Sequence, residues 1–389
     1  GGLCTSRICA AATCKGGGFV LKSTQISSAQ LVFLLFLYHS FNMFTAEAHN
    51  VTGNYGLPHL LAIPAAVLLQ ALVVLPAWIL AWKCRRGPAE AALWTMGKAG
   101  VIYPLASSLY LLWVMAFTVY SMSDFMVNAI YPGSARMFFI VTMILGALYA
   151  AYLGLEGIAR AAFIIFALFL LSLLLTFGGV MDRAHLINIH PFPDNSFQLV
   201  MEGAWKIMSR SSGIVIYLLL LPYVGPYKKR GFWITLASIA ALMEAVTFLV
   251  SSVLGDLGRT EAYPFFMLTT VAEVSILQRM DALHVAVWVM VSFLRITLCL
   301  WLVRQQLLLC LPLKQQAAKN KWLLPVLAAI ALLLAAAMNE NRDLSSQTLA
   351  VFTTGVPILL LGAVFPLVCL IAGGIRKRLI PKNQEGGES

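Results

Sequence analysis

Ten stretches of mostly apolar residues, each near or above the ~20 residues a helix needs to cross a bilayer's hydrocarbon, run through this chain of 389 residues. They lie at about 27–46, 58–82, 101–130, 136–155, 159–180, 198–224, 232–254, 281–303, 322–339 and 347–375. Lipid offers the backbone no hydrogen-bond partner, so runs of this length are stable there as helices. An all-α polytopic membrane protein with ten transmembrane helices follows. Composition agrees, because 60% hydrophobic and 11% charged residues leave too few charges to solvate the surface of a soluble globule. The third and tenth stretches are long enough to tilt, and Pro104, Pro222, Pro357 and Pro366 mark kinks or ends.

The formal charge of +11 maps onto topology. With the N-terminus inside, nineteen of the 27 basic residues fall in inner segments, against Arg136, Arg183, Arg259 and Arg342 outside. That asymmetry predicts an N-in, C-in orientation. Residues 20–375 form one membrane domain, and 376–389 a basic, then polar, cytoplasmic tail. No basic stretch is long or interleaved with aromatics, so the bilayer is expected as a partner and nucleic acid is not. Residues 1–19, rich in Gly, Cys and Ala and lacking a signal-peptide core, are expected to be a non-native or disordered extension from upstream translation, with the start at Val20.

Catalytic signatures are missing. The chain has no P-loop, HExxH, GxSxG or GxGxxG, and its six histidines are scattered without paired spacing. The seven cysteines form no pattern either; no histidine joins Cys4, Cys9 and Cys14, and the other four lie in or at the inner ends of spans. Neither an enzyme nor a metal or other cofactor is expected. The sequon Asn50-Val51-Thr52 faces outward but has meaning only in a glycosylating host.

Charges inside hydrocarbon cost ~2.5–3.5 kcal/mol each on insertion scales, so those that remain tend to face a bundle interior or cavity. Glu244 sits near the middle of span 7, either as a proton or cation site or as a structural carboxylate, with Arg295 of span 8 as a candidate partner. In span 6, Glu202, Lys206 and Arg210 recur at i, i+4 and i+8, which suits local ion pairing or a coupling role. Directly after them, Ser209-Arg210-Ser211-Ser212-Gly213 interrupts the apolar run. Span 1 holds a softer polar cluster, Tyr38-His39-Ser40-Phe41-Asn42. Spans 1 and 6 are the first members of two halves of five. Interrupted helices at matching positions predict a LeuT-like 5+5 inverted repeat with broken helices 1 and 6 and a small-solute site between spans 1, 3, 6 and 8.

Around span 8 a family resemblance can be read. Tyr263-Pro264-Phe265-Phe266, Gln278-Arg279-Met280-Asp281-Ala282-Leu283, Trp288 and Phe293-Leu294-Arg295-Ile296-Thr297 resemble the stretch "YPFF … ERIDAL … W … F-hydrophobic-K" of the spore germination permeases. These are the B subunits of nutrient germinant receptors, in the amino acid–polyamine–organocation superfamily. Ile26-Ser27-Ser28-Ala29-Gln30-Leu31, Gly203-Ala204-Trp205 and Leu221-Pro222-Tyr223 extend the match. The resemblance implies a ten-helix permease fold in the inner spore membrane, a germinant such as an amino acid as ligand, and A and C receptor subunits as partners. Two departures bear on the ligand. Phe41 stands where the family has a small glycine, and Ser211, Ser212 and Gly213 stand where it has Pro-Phe-Gly-Glu, without the family's acidic residue. The expected germinant is therefore an amino acid or a related molecule, with a different or less polar germinant than an α-amino acid held in the usual way as an alternative.

The expected pocket is lined by Phe41 and Asn42 of span 1, Thr118 and Tyr120 of span 3, Ser211, Ser212 and Gly213 of span 6, and Trp288 and Ser292 of span 8. The intramembrane charges Glu202, Lys206, Arg210, Glu244 and Arg295 are the candidate coupling groups. A ligand-sensing receptor subunit is the expected function; a proton- or cation-coupled amino acid or amine transporter, and a scaffold that binds nothing, are the alternatives.

Overall fold

A computed structural model describes residues 26–45, 57–84, 87–189, 196–225, 230–273, 281–311, 313–341 and 347–375. The extension 1–19, the start at Val20, the sequon and the tail 376–389 lie outside the described residues. The helices are α1 (Ser28–Thr45), α2 (Leu57–Cys84), α3 (Pro88–Met96), α4 (Ile102–Phe125), α5 (Arg136–Val180), α6 (Ser196–Ser209), α7 (Gly213–Leu220), α8 (Arg230–Leu254), α9 (Leu257–Thr260), α10 (Pro264–Val271), α11 (Asp281–Leu309), α12 (Leu313–Glu340), α13 (Gln347–Leu359) and α14 (Phe365–Ile375).

Among the described residues, seven helices are long and apolar enough to cross a membrane, and α6 with α7 make an eighth pass bent by 42°. Two features bring this to the ten passes expected. The 18 residues of α1 cover ~27 Å at 1.5 Å per residue, close to the hydrocarbon thickness. The 45 residues of α5 would reach ~68 Å if straight, more than two hydrocarbon thicknesses. Gly154, at φ 84° and ψ 175°, breaks α5 at the expected boundary between spans 4 and 5, in a conformation open to glycine and strained for other residues. Large apolar side chains such as Leu109, Leu145, Leu153, Leu174 and Leu333 point outward, as suits a multi-pass protein whose solvent is lipid.

One element lies between the expected spans and another differs from expectation. The segment before span 3 is a helix, α3, closed by Gly97 at φ 64°. Gly100 lets the chain fold back against it, since a Cβ there would overlap the Ala92 carbonyl. In span 1, α1 runs unbroken through Tyr38–Asn42 to Thr45, so the interruption expected at this polar cluster is not there. Its polar groups are satisfied within the helix: Ser40 Oγ donates to Phe36 O at 2.8 Å, and His39 Nδ1 to Leu35 O at 3.0 Å. Back-bonding of this kind lets polar side chains sit mid-helix without breaking it.

Spans 1 and 6 lie antiparallel in a defined register. At one end, Ile26 N–H donates to Tyr223 O and Gly225 N–H to Ile26 O, both at 2.9 Å. Farther along, Tyr38 meets Ser212 and Asn42 meets Arg210. An inverted repeat requires this opposition of its first members.

Candidate ligand site at the break in the sixth span

The break begins as a tightening. Arg210 N–H and Ser211 N–H bond three residues back, to Ile207 O and Met208 O, and Ser212 N–H reaches Arg210 O at 2.9 Å. Ser209 Oγ and Ser211 Oγ donate to the carbonyls of Lys206 and Ile207 at 2.8 and 3.0 Å. Serines compete with helical geometry through such local bonds. A helix broken at membrane depth needs other partners for its backbone, and neighbouring spans provide them. Asn42 Nδ2 donates to Arg210 O at 3.0 Å, and Gln70 Nε2 to Ser211 Oγ at 2.7 Å.

Arg295, on α11, is the hub. Its Nη1 donates to Tyr38 O at 3.2 Å and Asn42 Oδ1 at 3.0 Å, and its Nη2 to Ser212 Oγ at 3.1 Å. The guanidinium carbon lies 4.4 Å from the Tyr38 ring centre and 4.6 Å from that of Phe41, a cation–π arrangement. Tyr38 OH is 3.0 Å from Ser212 Oγ and 3.7 Å from Cys299 Sγ. Arg295 is 4% exposed. Gly213 opens α7 hard against His39, whose imidazole an added Cβ would overlap.

Of the residues expected to line a pocket, Phe41, Asn42, Ser211, Ser212 and Gly213 gather here with Arg295. Trp288 and Ser292 share its face of α11, at i−7 and i−3; Ser292 Oγ bonds back to Trp288 O at 2.8 Å. Trp288 lies ~10 Å farther along the helix, in a separate aromatic cluster with its ring 3.7 Å from Phe125. Thr118 Oγ1 is turned to Val114 O of its own helix at 2.7 Å. Tyr120 belongs with the far cluster, under Arg136 at 5.5 Å. That cluster carries a clamp. Arg136 Nη2 pairs with Asp124 at 2.7 Å, Tyr263 OH donates to Asp124 Oδ2 at 3.0 Å, and Arg136 Nη1 donates to Asn339 Oδ1 at 2.7 Å. The Tyr-Pro-Phe-Phe stretch thereby caps the bundle with α10, which Arg183 holds at its other end through Val271 O at 2.9 Å and Glu273 at 3.0 Å.

Two charge expectations are corrected. Arg295 does not pair with Glu244, because spans 1 and 6 take its guanidinium. Among the described residues neither group is in an ion pair, and Glu244 Oε2 is buried with no hydrogen bond. Glu202, exposed on α6, accepts from Gln198 Nε2 at 2.8 Å, and no Glu202–Lys206 ion pair forms; the glutamine one turn earlier takes the carboxylate. Arg210 contributes its carbonyl to the site.

Tyr38, His39, Gln70, Tyr110 and Cys299 are the site residues absent from the expected lining. Tyr110, on α4, has a buried hydroxyl beside Ser212 and within electrostatic range of Arg295. Gln70 carried a signal, being a lone amide in the apolar run of span 2. Tyr110 carried none, since span 3 offers Tyr103, Tyr110 and Tyr120 alike.

The geometry agrees with comparisons to known proteins. A family model described as "Spore germination protein" (Spore_permease) matches residues 66–343, more than half of the chain. A Na+-coupled sialic acid symporter, solved substrate-bound and outward-open, is similar over 92% of this chain and 91% of its own, with TM-score 0.58 and 12% identity. Mhp1, a nucleobase-cation-symport-1 family transporter solved closed with bromovinylhydantoin bound, is similar over 93% and 95%, with TM-score 0.54 and 11% identity. At such identities the likeness establishes the fold, that of LeuT-type transporters. No curated protein sequence matches the chain.

Proposed function

Because this chain belongs to the spore permease family of spore germination proteins, we propose that it is the nutrient-sensing membrane subunit of a germinant receptor and not an enzyme. It sits in the inner spore membrane with both termini inside, and A and C receptor subunits are its partners. A small germinant seats where span 6 breaks. The observation that carries this is the convergence of spans 1, 2 and 8 on three residues, Arg210, Ser211 and Ser212, through Asn42, Gln70, Tyr38 and Arg295. A ligand at such a junction competes for polar groups belonging to four spans at once. It shifts the balance between arrangements of the bundle by its differential affinity for them, and the partner subunits read that shift.

We also weigh a cation-coupled symporter, favoured by the buried, unbonded oxygen of Glu244 and by the coupled transport named for both solved relatives. Reconstituted protein separates the two. Nutrient binding without accumulation in proteoliposomes is expected for a sensor. Accumulation against a gradient, lost in Glu244→Gln, would establish a transporter.

A further inference from the structure

We propose that Arg295 is an anion receptor and that the ligand at the span-6 break is a small carboxylate bound through the guanidinium edge. This deepens the proposed function and rests on its placement of the ligand.

A guanidinium has five N–H donors. Three contacts engage Arg295, all to neutral oxygens: Tyr38 O, Asn42 Oδ1 and Ser212 Oγ. Its Nε–H is buried without a partner, and one Nη2 hydrogen remains beyond the bond to Ser212. Nε and Nη2 lie on one edge of the guanidinium, the edge that takes a carboxylate in a two-pronged fashion.

The charge also lacks an answer. Arg295 is 4% exposed, and among the described residues no carboxylate pairs with it. Buried charges are ordinarily paired as well as hydrogen-bonded. The rings of Tyr38 and Phe41 offset part of the cost without cancelling the charge. Gly213 places the N-terminal end of α7, which favours anions, directly after Ser212.

One more unsatisfied atom borders the same residues, and the Tyr110 hydroxyl lies beside Ser212. His39, packed on Gly213, uses Nδ1 for Leu35 O, which leaves Nε2 as a buried acceptor without a donor. Buried polar atoms without partners are few in folded proteins, and each asks for a reason. Here a donor edge and a hydroxyl suit a carboxylate, and the lone acceptor suits an N–H or O–H carried beside it.

The test uses full-length protein in detergent micelles and matched pairs of probes, lactate with lactamide and alanine with alaninamide, read by thermal unfolding and calorimetric titration at constant ionic strength. The carboxylates are expected to bind at least about tenfold more tightly than their amides, because a site built for one hydrogen-bonding group rejects the analogue that cannot supply it. Arg295→Gln is expected to abolish the difference; Arg295→Lys, which keeps the charge without the fork, to retain weakened binding. Amides binding as well as carboxylates, or a folded Arg295→Gln protein keeping the preference, would overturn the proposal. So would failure of every carboxylate to bind at any soluble concentration, the result for a hub satisfied by water. Should binding be indifferent to the carboxylate yet lost in Gly213→Trp, the seat at the break stands and the anion receptor alone falls.

Discussion

Arg295 Nη2 and Ser212 Oγ lie 3.1 Å apart, joining span 8 to the gap between the two halves of span 6. Through this contact a buried cation holds a broken helix. Removing it leaves the guanidinium with two neutral acceptors from span 1 and frees Tyr38 OH from its bond to Ser212. Ser212→Ala is therefore expected to destabilise by about 1–3 kcal/mol, seen as a lower unfolding midpoint in detergent. Asn42→Ala is expected to cost more, because one side chain serves both Arg295 and the Arg210 carbonyl. Equal midpoints for Asn42→Ala and unmodified protein would show that the hub bears no stability.

The fixed charge bears on ions as well. A guanidinium held between spans 1, 6 and 8 disfavours a second cation beside it, since two like charges 4 Å apart repel by ~4 kcal/mol at an effective dielectric of 20. Nutrient binding is accordingly expected to be unchanged when sodium chloride is replaced by choline chloride. A loss of affinity on removing sodium would place a cation in the seat.

The clamp at the other end makes a separate prediction. Asp124 accepts from both Arg136 and Tyr263, and hydrogen bonds to charged groups contribute ~1.5–3 kcal/mol each; partial exposure lowers that here. In Asp124→Asn, amide hydrogen exchange over α10, Pro264–Val271, is expected to quicken by roughly tenfold, the equivalent of ~1.4 kcal/mol, while exchange at Ile214–Leu220 stays as it was. Uniform quickening would mean general destabilisation rather than release of a cap.

Gly154 tests the division of α5. Its φ of 84° is unfavourable for any residue with a Cβ, although nothing lies within 4 Å of where that atom would sit. Gly154→Ala is expected to lose roughly 1–3 kcal/mol from backbone strain alone. No change in unfolding midpoint would mean the break between spans 4 and 5 adapts without cost.

Much of this architecture was legible because lipid imposes a simple rule on apolar runs, and the serine-rich interruption at 209–213 advertised a real break. Span 1 misled for a physical reason: Ser40 and His39 satisfy themselves against carbonyls one turn back, so polarity there carried no information about helix continuity. Arg295 stood out as a charge in an apolar span, yet its partners were not readable. Tyr38, Asn42 and Ser212 are 257, 253 and 83 residues away in sequence, and only the packing of span 8 against spans 1 and 6 brings them together. Trp288 and Tyr120 show the converse, for they have the chemistry of pocket residues but sit a level away, under the cap formed by α10.

The seat at the break is tested most directly by nutrient dose response in spores carrying two glycine substitutions. An added methyl at Gly213 meets the His39 ring, whereas one at Gly231 meets open space. At equal membrane abundance, Gly213→Ala is expected to raise the half-maximal nutrient concentration at least about tenfold, or ~1.4 kcal/mol, with Gly231→Ala unchanged. Superimposable curves for the two variants and the unmodified protein would contradict a ligand seat at the span-6 break.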